Sequence, residues 1–107
     1  MKVSVLGCGT WGSAIAQSMA DNGVVVTAWQ RYEEKSKDME STRKHPILKN
    51  IEFNNNINFT SNLDEAINNG NIIFLALPSP AIRTISSQIS KELKKDNILV
   101  NLAKGIE

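Results

Sequence analysis

The run KVSVLGCGTWGSAIA, residues 2–16, constrains the fold more than any other part of the chain. KVSVL is rich in apolar and β-branched residues and stops at Gly7, which reads as a short buried strand. After GCGTWG the apolar period changes: Trp11, Ala14, Ile15 and Met19, with Ala16 and Ala20 alongside, recur at helical spacing, and Asn22–Gly23 supplies a stop. VVVTAW, residues 24–29, then reads as a second strand. Strand, helix and strand within thirty residues form a βαβ unit, whose strands must be parallel and whose crossover must be right-handed.

The rest of the chain repeats this alternation. Residues 31–44, RYEEKSKDMESTRK, are nearly all polar and read as a solvated helix or a mobile excursion, with mixed charges that need no functional role. His45 precedes Pro46 with no ligand-spaced partner, so it reads as a plain loop histidine. In the Asn-rich stretch that follows, only residues 57–60 read as a strand. SNLDEAINNG reads as a short helix, with Asn62 and Glu65 spaced as a capping box. NIIFLALP, residues 71–78, is a continuous apolar run expected of a strand buried on both faces. Ser79–Pro80 reads as a helix start. Ile82, Ile85, Ile89 and Leu93 continue that helix, and NILVNLA is the last strand, read as buried. The pattern is α/β with a doubly wound parallel sheet, forming a single domain over residues 1–107.

Composition excludes several classes of function. Twelve basic and eleven acidic side chains leave a net charge of +1, so no strong field favours nucleic acid or an anionic membrane. There is no apolar run long enough for a membrane span, and MKVSVLG is too short an apolar run for a signal peptide. The lone cysteine, Cys8, fits a reducing compartment and reads as a small residue in a tight place. The expected location is cytoplasmic.

Gly7-Cys8-Gly9-Thr10-Trp11-Gly12 matches G-x-G-x-x-G in the strand-to-helix context that the motif requires. Gly7 would make the tight turn, Gly9 would leave room for a pyrophosphate at the backbone, and Gly12 would let helix and strand pack closely. The anion would meet free backbone N–H groups and the positive end of the helix dipole. A bare turn without ligand is the alternative. An NAD-selective chain places an acidic residue at the end of the second strand. This chain has Gln30 and Arg31 there, and Arg31 can pair with a 2′-phosphate. Tyr32 offers a ring beside an adenine. NADP(H) is therefore the expected cofactor, with NAD(H) as the alternative.

GCGTWGSAIA, AWQR, IIFLALPS and the final AKGIE together resemble the N-terminal domain of bacterial NAD(P)-dependent glycerol-3-phosphate dehydrogenase, over essentially the whole chain. HPILKNIEF and NINFTSNLDEAI belong to the same likeness, although the central segment departs most from the family's text. The resemblance implies that Thr10 and Trp11 contact the cofactor and that Arg31 and Tyr32 line its adenosine end. It implies that Pro78 and Ser79 pass near a ribose, and that Lys104 touches both NADPH and glycerol 3-phosphate. Lys104 would sit beyond the carboxyl end of the last strand, where ligands of open α/β sheets bind. The implied activity interconverts glycerol 3-phosphate and dihydroxyacetone phosphate by hydride transfer, feeding glycerophospholipid synthesis. By the same resemblance a second, helical domain supplies the acid/base lysine and the phosphate-holding groups. That lysine is expected beyond Glu107, and no catalytic residue is expected within residues 1–107. A homodimer of the full-length protein is expected, and any face that the second domain covers would stand as exposed apolar surface. Two rivals stay open: a related two-domain dehydrogenase with another hydroxy substrate, and a nucleotide-sensing module without chemistry.

Overall fold

A computed structural model describes residues 2–45, 50, 52–77, 79–94 and 96–102. Its five strands are β1 (Lys2–Leu6), β2 (Val25–Trp29), β3 (Ile57–Thr60), β4 (Ile72–Leu75) and β5 (Ile98–Asn101). All pair in parallel, in the order β3-β2-β1-β4-β5. The helices are α1 (Thr10–Asp21), α2 (Glu33–Thr42), α3 (Leu63–Asn68) and α4 (Ser79–Glu92). The chain steps outward from β1 to β2 to β3, then returns across the sheet to β4 and β5. Right-handed crossovers therefore place α1 and α2 on one face and α3 and α4 on the other. This is the doubly wound, Rossmann-type sheet. No helix among the described residues is long and apolar enough to cross a membrane.

Strand periodicity assigns the two cores. Val3 and Val5 of β1 pack with Ala16, Ala20, Val26 and Met39 on the α1/α2 face. Leu6 and Ile73 pack with Ala66, Ile67 and Ile89 on the α3/α4 face. Ser4 also faces that second layer, and its hydroxyl donates to the Ala66 carbonyl, so a polar group at the centre of the sheet is satisfied.

Four expectations need correction. The buried stripe of α1 is Gly12, Ser13, Ala16 and Ala20, with Ile15 and Met19 at its margin. Trp11 and Ala14 face outward. Small side chains win the interface because they let the helix approach the strands closely. The polar segment after β2 is a helix, one of its two readings, but its charges are not idle: it buries Ser36 and Met39 and caps the edge of the sheet through Glu40 and Arg43. The last strand is an edge strand, not a buried one: Ile98 is 57% and Leu99 43% exposed, on opposite faces. The expectation that β4 is buried on both faces does not stand: Ile73 and Leu75 are buried on the α3/α4 face, but Ile72 and Phe74 on the other are only half-buried.

Other expectations stand. Asn62 accepts the Glu65 N–H at 3.1 Å as N-cap of α3. The reciprocal arm of the box is relayed, because the Thr60 hydroxyl accepts the Asn62 N–H and donates to the Glu65 carboxylate. Ile82, Ile85, Ile89 and Leu93 do pack on the sheet.

Candidate functional site

β1 and β4 are neighbours whose onward connections run in opposite directions, so a crevice opens beyond their carboxyl ends. A cavity of about 390 Å³ lies there. Gly7, Cys8 and Gly9 line it from the end of β1, Gln30 and Arg31 from the end of β2, and Ala76 and Leu77 from the end of β4. Lys35 and Met39 of α2 and the more distant His45 complete its wall.

The three glycines of the loop answer to different constraints. Gly7 has φ +120, and a Cβ there would stand 2.5 Å from the Ala76 carbonyl oxygen, so both conformation and space demand glycine. A Cβ on Gly12 would overlap the Gly7 carbonyl oxygen and crowd the Ala76 side chain. Gly9 differs: its φ of −69 suits any residue, and a Cβ would meet nothing within 4 Å. The protein itself imposes no glycine at Gly9; the bare backbone faces open space.

The loop is anchored from beneath. Gly7 N–H donates to the Trp29 carbonyl at 3.0 Å, and the Cys8 thiol points to the same oxygen at 3.3 Å. Burial pushes the Cys8 thiol up to about 12, so it remains protonated and serves as a small donor, not a nucleophile. The Cys8 carbonyl accepts from Ser13 Oγ at 3.1 Å and from His45 Nε2 at 3.0 Å. Gly9 caps α1 without a side-chain hydrogen bond, and no acidic side chain occupies the first turn. The N–H groups at this helix end are thus left for an anion. The residues present fit a dinucleotide pyrophosphate.

Two cations border the cavity. Arg31 and Lys35 both line it and both lie over the Tyr32 ring, at 5.9 and 5.1 Å from its centroid. Among the described residues neither has a carboxylate within ion-pair distance, whereas Lys37 and Arg43 do. A second cavity of about 250 Å³ opens on the α3/α4 face. Trp29, Leu63, Leu77 and Ile85 give it apolar walls, Gln88 and Ser61 give it polar groups, and Arg31 lines it as well as the first. Trp29 is held as one of these walls by its indole N–H, which donates to the Ser61 carbonyl at 3.0 Å.

Of the residues singled out by sequence, Gly7, Gly9 and Arg31 line the first cavity. Gly12 lies behind it, in contact with the Gly7 carbonyl. Thr10, Trp11 and Tyr32 are exposed and line neither cavity. Pro78, the Ser79 side chain and Lys104 lie outside the described residues. So does Glu107, beyond which the acid/base lysine is expected, and that expectation stays one of resemblance alone. Lys35 was not singled out, and His45 was read only as a plain loop histidine. Lys35 could not have been found from its spacing, because Arg31 lies before the N-cap of α2 and the two are not helical neighbours. Nor could the place of His45: it does lie in a loop, as read, but it is 5% exposed and reaches Cys8 across 37 residues of sequence, so it is not a plain loop residue.

Comparison with known proteins identifies the family and the fold. Residues 2–107 match the family described as NAD-dependent glycerol-3-phosphate dehydrogenase N-terminus. A glycerol-3-phosphate dehydrogenase [NAD(P)+] from Thermoanaerobacter sp. is 40% identical over 107 residues, covering 100% of this chain and 32% of that protein. One of the same name from Fusobacterium nucleatum is 38% identical over 108 residues, again covering 100% and 32%. The glycerol-3-phosphate dehydrogenase of Coxiella burnetii shares the fold, with a TM-score of 0.87 at 19% identity over 94% of this chain and 31% of that one. The chain therefore spans about a third of the length of these relatives. With the family model matched from the first strand to Glu107, the chain belongs to the family of NAD-dependent glycerol-3-phosphate dehydrogenase N-termini.

Proposed function

We propose that residues 1–107 form one cofactor-binding domain of a cytoplasmic oxidoreductase that interconverts glycerol 3-phosphate and dihydroxyacetone phosphate, with NADP(H) preferred over NAD(H). Gly9 carries the reading: glycine stands where the fold does not require it, at the mouth of an uncapped helix beside the switch-point cavity. Gly7, Gly9 and the first turn of α1, with Thr10 and Trp11, would hold the pyrophosphate. The apolar cavity walled by Trp29, Leu77 and Ile85 would take the adenine, with Pro78 and Ser79 close to a ribose and Tyr32 at the adenosine end. When bound, the nicotinamide supplies or accepts hydride at the substrate carbon. Lys104 would hold the substrate oxygen as its charge changes. The proton-transferring lysine, the groups for the substrate phosphate and a dimer interface belong, in this proposal, to the part of the relatives that this chain does not span.

The preference for NADP(H) rests on Arg31 and Lys35. Neither cation has a carboxylate partner among the described residues, so both are available to a dianionic 2′-phosphate. Calorimetric titration of the intact protein tests this. Arg31→Ala and Lys35→Ala should each weaken NADPH binding by about tenfold, the scale of one partly exposed charged hydrogen bond, and leave NADH binding within about twofold. Equal losses for both cofactors would remove the 2′-phosphate assignment.

A further inference from the structure

We propose that His45 is a positioning residue for the dinucleotide loop: its hydrogen bond to the Cys8 carbonyl holds the Gly9 N–H turned outward, toward an incoming pyrophosphate. The inference rests on the reading of this loop as a dinucleotide site.

The argument begins with one peptide plane. In a trans peptide the C=O and the following N–H point in opposite directions, and no cis bond occurs in the described chain. Whatever fixes the Cys8 carbonyl therefore fixes the Gly9 N–H. That carbonyl accepts two buried donors, Ser13 Oγ at 3.1 Å and His45 Nε2 at 3.0 Å, which fill both of its lone pairs. Both draw it into the protein. The Gly9 N–H must then face the other side, where Gly9 is exposed and where no protein acceptor answers it among the described residues. Rotation of this peptide would present a carbonyl oxygen to the anion in place of a donor.

A glycine on each side makes rotation of this segment easy, so the lock matters. Ser13 belongs to the adjoining helix and moves with the loop. His45 is the independent anchor. It is placed by the antiparallel bridge between Lys44 and Glu52, by the Phe53 N–H donating to the Arg43 carbonyl at 2.7 Å, and by the edge of its ring against Phe53 at 6.3 Å. Because a carbonyl only accepts, Nε2 must carry a proton.

The test uses the intact protein and two substitutions. His45→Phe keeps an aromatic ring against Phe53 but has no donor; His45→Gln offers an N–H in place of Nε2. Calorimetry should show His45→Phe weakening NADPH and NADH alike by about tenfold, because the pyrophosphate is common to both. The NADPH-to-NADH ratio should be unchanged, unlike the effect of Arg31→Ala. His45→Gln should bind within about threefold of the unmodified protein. Equal weakening in both variants at unchanged melting temperature, or no weakening in either, overturns the proposal. Should His45→Phe fail to fold, 15N NMR of the histidine ring decides, with the resonance assigned by its loss in His45→Gln. A proton on Nε2 that persists against exchange supports the lock, and a neutral ring protonated at Nδ1 overturns it. If the unmodified protein binds neither nucleotide, the dinucleotide reading and this inference fall together.

Discussion

Gly9 and Gly12 are separated by one helical turn, yet they are glycines for different reasons. A Cβ at Gly12 would press on the Gly7 carbonyl, which is backbone and has no rotamer with which to yield. A Cβ at Gly9 would project into open space from an ordinary backbone conformation. Gly12→Ala should therefore destabilise the fold by about 2 kcal/mol or more in urea unfolding, as overpacking does. Gly9→Ala should leave stability within about 0.5 kcal/mol while reducing binding of either nucleotide at least tenfold. If Gly9→Ala binds as well as the unmodified chain, no phosphate approaches that backbone. The spacing of these glycines was legible from the first dozen residues. Their separate causes were not, because Gly12 meets the Gly7 carbonyl only after the turn has folded back. The places of Lys35 and His45 at the site were not legible for the same reason: neither has a local signature, and each joins the site only through the packing of α2 and the segment after it.

At the scale of elements, α2 shows how a polar sequence acquires a structural role. β3 ends the sheet, and the Phe59 N–H on its free edge would otherwise face solvent as a pairing site. The Glu40 carboxylate accepts that N–H at 3.1 Å. Glu40 also pairs with Arg43 at 2.9 Å. Arg43 in turn donates to the Asn54 and Ile57 carbonyls and lies over the Phe59 ring at 5.4 Å. It holds this position from a left-handed backbone, φ 60, at the C-cap of α2. The Lys37–Glu33 pair on the outer face, by contrast, is fully solvated, and the nearby ammonium merely holds the Glu33 carboxyl below its usual range. Arg43→Ala should cost about 2 kcal/mol in urea unfolding, the scale of charge-assisted bonds left unmade, and should speed amide exchange at Phe59. Glu40→Gln keeps an acceptor for that N–H and should cost less than about 1 kcal/mol. A loss below about 0.5 kcal/mol in Arg43→Ala would make the cluster surface decoration. The polarity of 31–44 left a solvated helix and a mobile excursion both open, and the charges looked idle because their partners lie on β3 and the segment before it.

Across the whole molecule, stability should fall from the centre of the sheet toward β5. Ile73 of β4 is fully buried between β1 and the α3/α4 layer, whereas Ile98, its neighbour's register partner on β5, is largely exposed. Ile73→Ala should cost about 3 kcal/mol and Ile98→Ala less than about 1, measured by denaturant unfolding. Similar costs would mean that β5 is covered in solution. The amino-acid sequence by itself determined the alternation of strands and helices, the parallel doubly wound sheet and the position of the glycine loop. Those follow from local period, turn chemistry and the handedness of crossovers, all of which act over a few tens of residues. Only the tertiary structure decided that α1 buries its small residues and exposes Trp11, that β5 is an edge, that Arg31 and Lys35 share one cavity, and that His45 closes on Cys8. Each of these depends on which surfaces the sheet order brings together, and a contact between residues tens of positions apart leaves no periodic trace in either segment alone.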